Sequence, residues 1–265
     1  MTLLSVSSLN KSFGGVIAAN DVSFEVARGE LVALIGPNGA GKSTTFNMVG
    51  GQLAPDSGTV TLDGTDIIGK PPRAIWRLGV GRTFQIAQTF ISMSVIENVQ
   101  VALQSAANAT TRLWTAAHSE YRPEAIALLN AVGLASSAGR AVSTLAYGDV
   151  KRVELAIALA GSPKLLLMDE PTAGMARAER HALMVLVSKL AHERGLGVLF
   201  TEHDMDSVFG HATRVLVLVR GEIIAGGSPS EVQANPLVRR LYLGTVGTRI
   251  AADAGRARVA PGVTS

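Results

Sequence analysis

An apolar run at residues 31–35 leads straight into Gly36-Pro37-Asn38-Gly39-Ala40-Gly41-Lys42-Ser43-Thr44. No other feature of the chain limits its fold so tightly. The GxxxxGK[ST] spacing carries chemistry only where a strand precedes it and a helix follows, and both conditions are met here. The glycines let the backbone curl so that successive N–H groups point inward, and the following helix adds its positive end to the anion cradle. Lys42 is placed to reach the β- and γ-phosphates of a nucleotide, and Ser43 to ligate Mg²⁺.

Short apolar runs bounded by turn residues recur at 3–9, 22–26, 59–62, 165–168, 198–201, 215–219 and 222–225. They read as strands. Several are apolar at consecutive positions, as in strands covered on both faces, and helical patterns alternate with them in the second half. The expected fold class is therefore α/β. Between about residues 85 and 161 the pattern becomes purely helical, at 95–104, 123–132 and 150–160, which predicts a helical subdomain inserted into the α/β core. Residues 105–120, rich in Ala, Thr and Asn, suggest a loop or weak helix. From 245 onward Gly, Ala, Arg, Pro and Ser dominate without periodicity, so 245–265 is expected to be a disordered tail.

Composition narrows the function. Apolar residues are 47% and charged residues 17%, which suits a large buried core and excludes general disorder. The net charge is +3, yet Arg239, Arg240, Arg249, Arg256 and Arg258 against Asp253 put +4 after residue 238. The remainder is then at −1, and no broad basic face for nucleic acid is expected. Absence of cysteine removes disulfides, thiol catalysis and thiolate metal sites, and fits a reducing compartment. The first twelve residues alternate like a strand and do not read as a secretory signal, and no run approaches the ~20 apolar residues of a spanning helix. Any membrane role is expected to be peripheral.

The run at 165–168 ends in Asp169-Glu170. Ligands of open α/β sheets bind beyond the carboxyl ends of strands, which places Asp169 to hold Mg²⁺ and Glu170 to orient and deprotonate an attacking water. Adjacent acids at a strand end also suit a turn or a helix cap, and it is the phosphate cradle that favours the chemical reading.

Leu145-Ala146-Tyr147-Gly148-Asp149, ahead of a long helical pattern, completes a set that resembles the ATP-binding subunit of an ABC transporter. The resemblance spans about residues 2–244, with the motifs in the family's order. It implies a P-loop NTPase core of mixed sheet and flanking helices at 1–84 and 162–244, an antiparallel β subdomain, and a helical subdomain at about 85–161. It further implies that Phe13 stacks on adenine and that Gln85 contacts Mg²⁺ and the water. His203 would touch the γ-phosphate, and residues 145–149 would bind the γ-phosphate of ATP held by the opposite subunit. Phe13 also reads as an ordinary core residue and Gln85 as a polar loop residue.

The implied partners are a second ATPase subunit, identical or paralogous, and two membrane permease subunits docked on the helical subdomain. A periplasmic or extracellular solute-binding protein would act indirectly, and the site of action would be the cytoplasmic face of the plasma membrane. Phe90, Met93 and Val95 are candidate walls of the docking groove, with core burial an equal reading for Val95. His118, His181, His192 and His211 show no paired metal spacing.

The chain departs from the family's commonest pattern at two places. In place of LSGGQ it has Ala146, Tyr147 and Asp149, so the serine hydroxyl is absent, and the loop Pro171-Thr172-Ala173-Gly174-Met175-Ala176 lacks the usual aspartate. With Asn235-Pro236 and Tyr242-Leu243-Gly244, these departures resemble the ATPases of branched-chain amino acid uptake systems. The rival resemblance is the lipopolysaccharide-transport ATPase, which normally keeps a fuller signature. A soluble ATPase of DNA repair or translation is disfavoured by the single phosphate cradle and the lack of heptads and Cys. A nonhydrolysing binder is disfavoured by the presence of Glu170, Gln85 and His203 together.

Overall fold

The computed structural model describes residues 1–83, 89–107 and 121–240. Ten strands form two sheets among these residues. The first sheet is antiparallel, in the order β2 (Val16–Ala27), β1 (Thr2–Phe13), β4 (Ser57–Leu62), β5 (Thr65–Asp66). Strands β1 and β2 are longer than their apolar runs. Gly14-Gly15 closes them into a tight hairpin with Phe13 opposite Val16, and pairing carries polar residues such as Lys11 and Ser12 into the ladder.

The second sheet has the order β10 (Glu222–Gly227), β9 (Arg214–Val219), β3 (Leu31–Ile35), β8 (Gly197–Thr201), β7 (Leu165–Asp169), β6 (Val80–Thr83). All neighbours are parallel except β10 on β9. The consecutive apolar residues divide by parity. Ala33, Ile35, Leu166, Met168, Val198, Phe200, Val215 and Val217 enter one core, whereas Val32, Leu34, Leu165, Leu167, Leu199, Leu216 and Leu218 enter the other. One core is closed by helices, and the other by the antiparallel sheet and α1 (Lys42–Val49). Burial on both faces is what makes alternation vanish from these strands.

Strand β6 is absent from the reading of the sequence. Val80-Gly81-Arg82-Thr83 has no apolar run, and it is a strand because its backbone pairs with β7, Val80 opposite Leu165 and Thr83 opposite Met168. Its Arg82 donates to Asn47 Oδ1 at 2.9 Å and to Gln52, tying this edge to the end of α1. Ahead of it lies the short helix α2 (Pro72–Arg77), also unforeseen.

Between β6 and β7 come α3 (Val95–Ala106), α4 (Arg122–Ala131) and α5 (Tyr147–Leu159), packed on one another. Helix α3 starts at a capping box in which Ser94 N–H donates to Glu97 Oε2 at 2.7 Å and Glu97 N–H returns to Ser94 Oγ. Buried Asn98 holds the preceding segment by exchanging hydrogen bonds with the backbone of Phe90. Val95 is fully buried, so it belongs to the core and walls no groove; Phe90 is exposed. A groove of about 400 Å³ does open nearby, lined by Trp76, Arg82, Ala102 and Ile157 among others, but not by Phe90 or Met93.

Helix α5 begins at Tyr147, three residues earlier than its apolar periodicity indicates, because the signature residues themselves form its first turn. The chain continues through α6 (Arg177–Arg194), α7 (Met205–His211), α8 (Pro229–Ala234) and α9 (Pro236–Val238). The expectations for residues 108–120, for Tyr242-Leu243-Gly244 and for the tail at 245–265 lie outside the described residues. No helix of the described residues is long and apolar enough to cross a membrane.

Candidate functional site

Three adjacent strands deliver the chemistry to one edge. Strand β3 runs into the glycine-rich loop, β8 next to it leads to His203, and β7 beyond that ends in Asp169-Glu170. The parallel register sets Leu34 and Asp169 both opposite Thr201. A cleft of about 300 Å³ forms there, lined by Asn38, Gly39, Ala40, Gly41, Lys42, Ser43 and Thr44, by Glu170 and His203, and by Val16, Ile17 and Ala18 of β2.

Two glycines make the loop possible. A Cβ at Gly36 would lie 2.0 Å from the Leu218 carbonyl oxygen, and one at Gly41 2.1 Å from that of Ala18. Gly41 also has φ +103°, a conformation L side chains rarely adopt. Both contacts are with backbone, so no rotamer change relieves them.

Lys42 is buried, and its Nζ donates to the carbonyls of Gly36 at 2.8 Å and Pro37 at 3.1 Å, folding back over the cradle. Burial pushes its ammonium below the ordinary lysine range, while the carboxylates of Glu170 and Asp169 oppose the fall. Ser43 is exposed at the mouth of the cleft.

Asp169 Oδ1 accepts from Thr201 Oγ1 at 2.7 Å, and the same hydroxyl accepts from Glu170 N–H at 3.0 Å. Glu170 has φ +47°, an uncommon conformation for a residue with a side chain, and such strain gathers at functional sites. Its Oε1 lies 2.8 Å from His203 Nε2, so the acid and the histidine read separately from the sequence form one pair.

Phe13 does not line the cleft. It is 49% exposed at the hairpin tip, beside the exposed Val16 and Ile17, with Lys11 Nζ 5.5 Å from its ring. The core reading of Phe13 is therefore excluded. Residues 145–149 are not in the cleft either. Ala146 is the N-cap of α5 without a side-chain cap, which leaves the N–H groups of Tyr147 and Gly148 without helical carbonyls. Tyr147, 44% exposed, sits beside Gly174, where an added Cβ would be 3.6 Å from its ring. The divergent signature and the divergent 171–176 loop thus lie next to each other. Gln85 lies outside the described residues.

Two residues of the site escaped the reading of the sequence. Thr201 links Asp169 to Glu170 as described, and buried Glu202 bridges the loops that carry Glu170 and His203. Neither carries a spacing signal, since both fall in the unbroken polar stretch Thr201-Glu202-His203-Asp204 at a strand end. His181 and His211, set apart by sequence, meet at 3.2 Å on α6 and α7.

A phosphate loop between β3 and α1, facing an acid and a histidine from neighbouring parallel strands, defines a P-loop nucleotide-binding protein. The sequence model of the ABC transporter family matches residues 19–173, and that of the branched-chain amino acid ATP-binding cassette transporters matches 222–247. The high-affinity branched-chain amino acid transport ATP-binding protein LivG of Salmonella typhimurium is 41% identical over 249 residues, covering 91% of this chain and 98% of LivG. The lipopolysaccharide export system ATP-binding protein LptB of Acidithiobacillus ferridurans is 37% identical over 242 residues, covering 91% and 97%. Among solved structures, the ADP conformation of MJ1267, an ATP-binding cassette of an ABC transporter, matches with a TM-score of 0.81 at 30% identity, covering 92% and 99%. The chain belongs to the ABC transporter family, as one of its ATPase cassettes.

Proposed function

We propose that this chain is the ATP-hydrolysing subunit of an importer for branched-chain amino acids or related small solutes. The observation that carries the ATPase part is the cleft uniting residues 38–44 with the Glu170–His203 pair. The match at 222–247 and the identity to LivG support the solute class. ATP lies with its phosphates on the loop at 36–44 and its base toward Phe13. Lys42 exchanges the Gly36 and Pro37 carbonyls for the β- and γ-phosphates. Glu170 accepts the proton of the attacking water, and His203 holds Glu170 and contacts the γ-phosphate.

The residues present suit Mg²⁺. Ser43 follows Lys42 in the cradle, and the Asp169 carboxylate, though it does not line the cleft, is near enough to Lys42 to oppose the fall of its pKa, so both offer hard oxygens there. That is the pattern for an ion bound by one or two protein oxygens and by substrate phosphates. Ser43, Asp169 and Gln85 would hold it, and the ion would neutralise charge on the β- and γ-oxygens.

Residues 145–149 are excluded from the cleft of their own chain, which supports a head-to-tail pair in which each signature completes the partner's site. Closure of that pair drives two membrane permease subunits, with a solute-binding protein acting on them, and the chain works at the cytoplasmic face. The domain division is a core at 1–84 and 162–244 with a helical subdomain at about 85–161.

Ala146→Ser restores a hydroxyl able to donate to the γ-phosphate of the opposite subunit's ATP, a hydrogen bond worth about 1 kcal/mol net that forms only in the closed pair. The ATP-bound pair is expected to tighten by roughly fivefold, since ~1 kcal/mol is about that factor in an equilibrium constant. Sedimentation of wild type and variant with MgATP measures this, and equal affinities would count against the signature's role.

The transport reading is tested by capturing Glu170→Gln with MgATP from detergent-solubilised native membranes. Two multi-spanning permeases of an amino acid importer are expected alongside the cassette. Recovery of lipopolysaccharide-export components would favour the LptB-like alternative, and recovery of soluble proteins alone would overturn both.

A further inference from the structure

The pairing of Glu170 with His203 rests on two loops, and one buried side chain joins them. Asp169 and Thr201 are the last paired residues of β7 and β8, so Glu170 and His203 lie just beyond the ladder that would fix their spacing. Glu202 is 3% exposed, and both of its carboxylate oxygens are used as acceptors. Oε1 accepts from Thr172 N–H at 2.9 Å and from the Thr172 hydroxyl. Oε2 accepts from His203 N–H at 3.0 Å and from Asp204 N–H at 3.4 Å. Thr172 is itself buried and belongs to the turn that leaves Glu170, closed by Ala173 N–H on Glu170 O at 3.1 Å.

We propose that Glu202 is a positioning residue for ATP hydrolysis: its carboxylate braces the turn after Glu170 against the backbone of His203 and so sets their side-chain contact. The proposal rests on the reading of Glu170 and His203 as the hydrolytic pair. A carboxylate suits this place because four donors converge on it from two chain segments. A glutamine has the same shape but presents an NH₂ to one of the two donor sets, which leaves donor facing donor. A displacement of about 1 Å in a catalytic pair costs up to roughly 10²-fold in rate.

The test compares Glu202→Gln, Thr172→Val and Glu170→Gln with the wild type in the full-length protein. Steady-state hydrolysis, MgATP affinity of each variant, and the NMR signals of the His203 imidazole are measured, with thermal melts as a check on folding. Glu202→Gln is expected to lower kcat about 10- to 100-fold while MgATP affinity stays within about threefold, and to move the His203 ring signals in the same direction as Glu170→Gln does. Thr172→Val removes one of the four donors and nearly preserves shape, so it should shift kcat and the His203 signals the same way by less. It keeps the test decisive if Glu202→Gln fails to fold. Unchanged His203 signals in the folded variants, or losses of kcat matched by equal losses of MgATP affinity, would overturn the proposal. If Glu170→Gln abolishes hydrolysis and the Glu202 and Thr172 variants do not impair it, this proposal alone falls; if Glu170→Gln hydrolyses ATP normally, the pair and its brace fall together.

Discussion

Glu170→Gln is expected to hydrolyse ATP about 10² to 10⁴ times more slowly than the wild type while still binding MgATP, the span usual for loss of a general base. Glutamine keeps the shape of the side chain and its contact with His203 Nε2, now 2.8 Å from Oε1, but it cannot take a proton from water. The backbone need not change, because the substitution alters one side-chain atom and leaves the bond from the residue 170 N–H to Thr201 Oγ1 in place. Single-turnover hydrolysis and equilibrium binding of labelled ATP separate the two effects. Wild-type turnover in this variant would move the base elsewhere.

Lys42→Ala is expected to act on binding. The ammonium is buried over the cradle and bonded to two loop carbonyls, so it is held within reach of the phosphates before nucleotide arrives. A hydrogen bond to a charged group contributes about 1.5–3 kcal/mol, so losing the lysine should weaken ATP binding by roughly 10²-fold. The lowered pKa gives this prediction a pH dependence. Burial disfavours the charged form, so Lys42 loses its proton at a lower pH than an ordinary lysine does. Only the charged form attracts phosphate. Wild-type affinity for ATP should therefore fall as pH rises toward the ordinary lysine range, and Lys42→Ala should lack that fall. Fluorescence titration with a nucleotide analogue across alkaline pH measures both.

Much of this site is legible in the residue order. Residues 36–44, Asp169, Glu170 and His203 each stand at the end of an apolar run, and the carboxyl ends of parallel strands lie at one edge of a sheet. The signature at 145–149 is legible as a motif, and its place outside the cleft of its own chain follows from the family resemblance, but its position beside the 171–176 loop is not legible, because that depends on where the inserted helices dock. Strand β6 is hidden for a related reason: Gly81 and Arg82 give it no apolar pattern, and pairing with β7 alone makes it a strand. Glu202 looks like a surface acid beside a histidine, and it is buried only because a turn thirty residues earlier folds over it.

What the sequence determined by itself is the kind of machine. Strand, cradle and helix are contiguous, and their chemistry follows from the local path of the backbone. What only the tertiary structure decided is the set of distances between parts that are far apart in the chain: the 2.8 Å between Glu170 and His203, the hydrogen bonds of Glu202 behind them, the place of Tyr147 beside Gly174, and the burial of Val95. Local pattern fixes which residues can do chemistry. Which of them meet is set by sheet pairing and core packing, long-range interactions that leave only a faint periodic trace in the order of residues.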